Sequence, residues 1–161
     1  RGAMEDTSNH EWVLAAPFRA HLVRVQAETG LPLPALAVQA GLPPALVDHL
    51  VHGRRGGWMH RIPPAAARRL LTLEPVALAE LALVEVPAAP IAARIRELLG
   101  AGLAEAVLAR WCRLTPSGLA GLATRRECSE LTALLVRAAY QSLPAPARVG
   151  MALRDNPPLA A

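Results

Sequence analysis

Lysine is absent from this chain: all 17 basic residues are arginine. Together with abundant alanine and 15 prolines, this points to a GC-rich coding sequence. Aromatic residues make up only 3% of 161 residues while hydrophobic residues make up 53%, so any core must be aliphatic. Runs of β-branched and aromatic residues, the usual material of strands, are nearly missing. Ala, Leu, Arg and Glu are good helix formers, and the composition predicts an all-α fold. Two cysteines, Cys112 and Cys128, are too few for a disulfide framework at this length. They are expected as reduced, partly buried thiols of a cytoplasmic protein. No apolar run reaches the roughly 18 residues of a membrane span, and no signal-peptide pattern opens the chain, so no membrane partner is expected. The leading "RGAM" reads as a cloning remnant.

Catalytic and metal-binding patterns are also lacking. There is no Gly-rich phosphate loop, nucleophile elbow or paired-carboxylate motif, which argues against an enzyme. His49 and His52 share a helix face, but neither they nor His60 are joined by a carboxylate or cysteine at ligand spacing. No metal and no other cofactor is expected. The two thiols have no neighbour placed to activate them.

What the sequence does contain is punctuation. Pro17 opens a helix whose residues Phe18, Leu22 and Val25 share one face, and Gly30 closes it. A short helix follows from about Pro34 to Ala40, then a turn at Gly41 and Leu42. A third helix begins at Pro43 or Pro44 and ends near Gly53. "RRGGWMHRI" reads as a loop, and "PPAAARRLLTL" as a fourth helix. The second half repeats this plan in "IAARIRELLGAG", "AVLARWC", "LTPSGLAGLAT" and "SELTALLVRAAY". Leu36, Ala37, Leu42, Val47 and Leu50 fall on Leu108, Ala109, Leu114, Leu119 and Leu122 at a constant offset of 72 residues. The reading is therefore two copies of one helical unit. The boundaries are an N-terminal segment 1–15, a first unit 16–73, a linker 74–89 with a short helix from Pro75 to Leu83, a second unit 90–142 and a Pro-rich tail 143–161.

Within each copy the spacing fits a helix-turn-helix. Ala37 and Ala109 are small where the second helix crosses the first. Gly41 supplies a residue that tolerates positive φ. The second copy has Arg113 there, which costs roughly 1 kcal/mol if the left-handed geometry is kept. Thr115 can cap the following helix, with Pro116 at its first position. An ordinary helical hairpin without a nucleic-acid role is the plain alternative.

The order of these motifs resembles a family of tandem helix-turn-helix proteins from actinobacteria and their phages. Such proteins carry a first unit, a loop, a "TAARLL"-like helix, a second unit and a tail like "GWxPPLAWDD". This chain has "AAARRLL" at Ala65 to Leu71, "LTALLVRAAY" at Leu131 to Tyr140 and "RVGMALRDNPPLAA" at its end. The tail lacks the tryptophan and terminal acids, and "TRRECSE" replaces a longer "GRR"-type loop. The resemblance implies a DNA-binding fold more than a defined target.

A docked first unit would present Pro43, Pro44, Ala45, Asp48, His49 and His52 to the major groove. None is Arg, Asn or Gln, the usual bidentate base readers. Ala45 suits a thymine methyl, His49 a guanine, and Asp48 a cytosine amine. The second unit presents Thr115, Pro116, Ser117, Ala120, Gly121 and Thr124, a set without charge. Gly118 and Gly121 weaken that helix by roughly 1 kcal/mol each against alanine. Binding energy must then come from arginines outside the helices. From His49 to Leu73 there is no acid but there are five arginines: Arg54, Arg55, Arg61, Arg68 and Arg69. Arg54 and Arg55, freed by Gly56 and Gly57, and the matching Arg125 and Arg126, suit phosphate contacts; solvated loop charge is the alternative for each pair. One of Arg68 and Arg69 is expected to face solvent and the other to pack by its stem. Trp58 is expected as a lid over a small core or as a stacking platform, Trp111 in the core, and Trp12 as an anchor of the N-terminal segment. The expected partner is double-stranded DNA, and the expected role transcriptional regulation. The rival is a protein-interaction module, with a homodimer or protein partner seated on the second unit.

Overall fold

A computed structural model describes residues 11–142 of the chain. Helix accounts for 63% of the described residues. The helices begin where proline can start them. Pro17, Pro34, Pro44, Pro64, Pro90 and Pro116 all stand in or at the first turn of a helix. Proline has no N–H to leave unsatisfied there and its φ is already helical. Only one of these starts, Thr115, adds a side-chain cap, accepting the Gly118 N–H at 3.0 Å.

The first unit comprises β1 (Val13–Leu14), α1 (Ala16–Thr29), α2 (Leu33–Ala40), α3 (Pro44–His52), β2 (Arg61–Ile62) and α4 (Pro64–Leu71). The second comprises β3 (Glu85–Pro87), α6 (Ala89–Gly100), α7 (Glu105–Trp111), α8 (Pro116–Gly121), β4 (Glu127–Ser129) and α9 (Glu130–Ser142). Between them α5 (Pro75–Glu80) spans the division of the chain into two compact units, at Leu78/Ala79. The tail 143–161 and residues 1–10 lie outside the described residues.

The expectation of an all-α fold holds in part: the described residues are mostly helical but include a few small strands. Four short strands form two antiparallel pairs, with Val13 opposite Ile62 and Leu14 opposite Arg61 in one, and Val86 opposite Cys128 in the other. Each pair ties the entry of a unit to the segment that follows its third helix. The Ala15 N–H donates to the His60 carbonyl at 2.9 Å, and the Ala88 N–H to that of Arg126 at 3.0 Å. Consequently β3 lies within the stretch 74–89, and part of "RRGGWMHRI" is strand rather than loop.

The repeat is visible in the core. Leu36 and Leu108 are both fully buried, as are Ala37 and Ala109, Val47 and Leu119, and Leu50 and Leu122. Leu42 and Leu114 are half-buried. In the first unit Leu22 and Val25 of α1, Ile62 and Leu70 complete this core; in the second, Leu98, Leu134 and Leu135 do so. The turn between the two central helices is the same in both. The Leu42 N–H donates to the Ala37 carbonyl and the Leu114 N–H to that of Ala109, each at 2.9 Å. Gly41 has φ 71° and Arg113 φ 59°. Arg113 is the one non-glycine residue with positive φ among the described residues, so the left-handed turn is kept without glycine.

Candidate nucleic-acid interface

α3 is held at its C-terminal end by a residue that sequence reasoning missed. Arg19 on α1 donates from Nε to the Leu50 carbonyl at 2.7 Å and from Nη2 to the Met59 carbonyl at 2.8 Å. Its guanidinium also lies 4.6 Å from the centre of the Trp58 ring. One side chain thus joins α1, the end of α3 and the segment beyond it. Trp58 is 53% exposed, so it is a platform for Arg19 rather than a lid over a closed core. A charged residue on a helix normally reads as solvent-facing, and these partners lie 31 and 40 residues away, so no local pattern announced them.

Of the residues expected on the outer face of α3, Ala45, Asp48 and His52 are exposed, and Pro44 and His49 are half-buried. Asp48 and His52 pair through Oδ1 and Nδ1 at 3.0 Å. Beyond Gly53 the chain makes a tight turn. The Arg54 N–H donates to the Gly57 carbonyl at 3.2 Å and the Gly57 N–H to that of Arg54 at 2.8 Å, leaving Arg55 and Gly56 at the tip. The glycines therefore serve a closed turn, with Gly57 at φ 108°, rather than a free loop. Both arginines are exposed.

Arg61 is exposed; it lies in β2 and donates from Nη1 to the Trp12 carbonyl at 2.8 Å. Arg68 and Arg69 are both exposed, and Arg69 donates from Nη1 to the Gly41 carbonyl at 2.8 Å, closing the α2–α3 turn from α4.

In the second unit Thr115, Ser117, Ala120 and Thr124 are exposed, and Gly121 is half-buried. The hydroxyls of Thr115 and Ser117 lie 3.1 Å apart, and Thr115 also caps α8, so both are engaged within the unit. α8 has six residues against nine in α3. Five residues separate α8 from β4, whereas eight separate α3 from β2, so the hairpin turn of the first unit has no room in the second. Arg125 and Arg126 are exposed immediately before β4.

The two thiols are buried and free of disulfide. Burial pushes Cys112 up to about 12, and it also raises Cys128, against which the Arg125 charge works in the opposite direction. Trp111 is half-buried and donates its indole N–H to the Leu135 carbonyl at 2.8 Å. Among the described residues no three His, Cys, Asp or Glu side chains gather as metal ligands, and no helix is long and apolar enough to cross a membrane.

No protein-family model matches this chain, and neither the curated proteins nor the solved structures contain a match.

Proposed function

We propose that this chain is a double-stranded DNA-binding protein acting in transcriptional regulation in the cytoplasm, built on two tandem helix-turn-helix units, α2–α3 and α7–α8. The observation that carries the reading is the α2–α3 arrangement. A left-handed turn sets a helix whose Ala45, Asp48 and His52 are exposed, and two exposed arginines follow in a closed turn, Arg54 at its base and Arg55 at its tip. The order of motifs along the chain supports kinship with the actinobacterial and phage tandem helix-turn-helix proteins.

On this reading α3 enters the major groove by its N-terminal end. Ala45 meets a thymine methyl and His49 reads a base edge, while Arg54 and Arg55 bind phosphate, supplying affinity more than sequence choice. The experiment is a titration of labelled genomic DNA fragments at two salt concentrations with unlabelled competitor. Selective binding that survives competition supports the reading; binding lost wholly to competitor, or absent, rejects it.

For the second unit a protein partner or a homodimer is the second reading. The uncharged outer face of α8 and the mutual engagement of Thr115 and Ser117 favour it. Dimerisation there would raise the apparent DNA affinity of two first units through effective concentration.

A further inference from the structure

The first unit joins its two central helices with no charge of its own. From Gly30 to Val47, a stretch that holds all of α2, the turn and the start of α3, there is no Asp, Glu, Arg or His. α2 nevertheless ends on carbonyls that carry partial negative charge. In a docked helix-turn-helix the first helix crosses the DNA backbone and the N-terminal end of the second enters the major groove, so the corner joining them stands beside phosphate. Arg69 brings a cation to that corner from α4. Its Nη1 donates to the Gly41 carbonyl at 2.8 Å, and its side chain is otherwise exposed. Glycine makes room for it, since a Cβ at residue 41 would stand 2.5 Å from that Nη1.

The second unit has a cation at the same corner with the two residue types exchanged. The turn residue is Arg113 itself, exposed and left-handed like Gly41. Ile62 and Cys128 hold the same place in their strand pairs, at an offset of 66 residues. That offset brings buried Ala66, Ala67 and Leu70 onto buried Thr132, Ala133 and Val136, and it brings Arg69 onto Leu135, which is fully buried. Where the turn residue is glycine the last helix supplies arginine; where the turn residue is arginine the last helix supplies leucine. Each corner therefore has one guanidinium, and Arg113 carries its own on a backbone that glycine adopts more readily.

We propose that these corner arginines, Arg69 at Gly41 and Arg113, are phosphate-binding residues, each receiving one backbone phosphate of double-stranded DNA. The inference rests on the DNA-binding reading above and adds to it a contact that lies outside the recognition helices and outside the Arg54–Arg55 turn. Arg69 serves twice on this account: one N–H covers the negative end of α2, and the rest of the planar fork is left for phosphate oxygens. Such contacts fix the register of the docked unit and are indifferent to base sequence.

The test measures binding of the full chain to a labelled DNA duplex of mixed sequence across a range of salt concentrations, where phosphate contacts set the affinity. Arg69→Leu is expected to make the slope of log K against log salt shallower by about 0.9, the value of one phosphate, with helicity by circular dichroism unchanged. Adding Gly41→Arg to Arg69→Leu gives the first unit the arrangement of the second and is expected to restore the slope. Arg113→Gly is expected to lose a similar slope while raising the midpoint of urea unfolding, a combination that a merely structural arginine does not give. An unchanged slope in Arg69→Leu or in Arg113→Gly, while Arg54→Ala with Arg55→Ala still makes it shallower, overturns the proposal and leaves the DNA reading standing. A parent chain without salt-dependent binding removes the DNA reading and the proposal together.

Discussion

Gly41 and Arg113 stand 72 residues apart and adopt the same left-handed backbone, one at φ 71° and the other at φ 59°. Glycine visits that region freely and arginine does not, at a cost of roughly 1–2 kcal/mol. Two residues of such different preference share one geometry because the crossing of the helices they join imposes it. The buried pairs Leu36/Val47 and Leu108/Leu119 lock that crossing. Arg113→Gly should therefore raise stability by about 1 kcal/mol. Gly41→Ala should lower it by about 2 kcal/mol, because it acquires the strain and its Cβ would stand 2.5 Å from Arg69 Nη1, displacing the bond to the Gly41 carbonyl. Urea unfolding of both variants checks the pair, and shifts of the same sign would reject an imposed turn.

Arg19 should prove a structural keystone of the first unit. Arg19→Ala leaves two part-buried carbonyls, Leu50 and Met59, without their donors and removes the cation from the Trp58 face. The expected loss is about 2–4 kcal/mol. Arg19→Lys should rescue little of it, since an ammonium cannot span both carbonyls with a planar fork. Chemical denaturation followed by Trp58 fluorescence measures both.

Arg54→Ala with Arg55→Ala should weaken DNA binding across all sequences. The slope of log K against log salt should become shallower by about 0.9 for each phosphate that the variant no longer neutralises. His49→Ala should change sequence preference more than overall affinity. A salt slope identical to that of the parent would show that the arginine pair does not bind phosphate, and a uniform loss in the His49 variant would remove that residue from base reading.

Cys112, with its thiol pushed up to about 12, should be inert to alkylating reagents near pH 8 while the protein is folded. Labelling followed by mass spectrometry should find it modified only at the rate at which the second unit opens. Rapid modification under native conditions would contradict its burial.

Glu127 shares a hydrogen bond with Glu85 across the β3–β4 pair, and the two charges repel, so its carboxyl titrates above the usual carboxylate value. In the folded state it therefore holds its proton to a higher pH than in the unfolded chain. Stability from this source is fully present below the unfolded value and is lost as pH rises through the raised folded value. Glu127→Gln should flatten that fall with rising pH, as thermal melts across the carboxylate range would reveal; a pH profile unchanged from the parent would refute the coupling.

Much of the helical framework was legible in the sequence because proline and glycine mark its ends. Pro17 with Gly30, and Pro44 with Gly53, bracket α1 and α3 within a residue or two. The constant offset likewise located four pairs of buried positions, from Leu36/Leu108 to Leu50/Leu122, while the fifth, Leu42/Leu114, is half-buried. The strands were not legible, since two or three residues cannot display an alternating pattern. β3 is written "EVP", which reads as linker, and gains its meaning only opposite Cys128. The same holds for the candidate interface. The exposed face of α3 followed from helical period, but the roles of Arg19, Arg61 and Arg69 depend on carbonyls brought near by folding.

The pairing of β1 with β2, and of β3 with β4, brings the start of each unit beside the segment that leads into its last helix. Such a module can be copied head to tail in a gene without reopening either core, because the chain enters beside a seam it has already closed. The two units differ where the seam does not reach. The first unit carries a double-arginine hairpin after its third helix, and the second has a connection too short to form one.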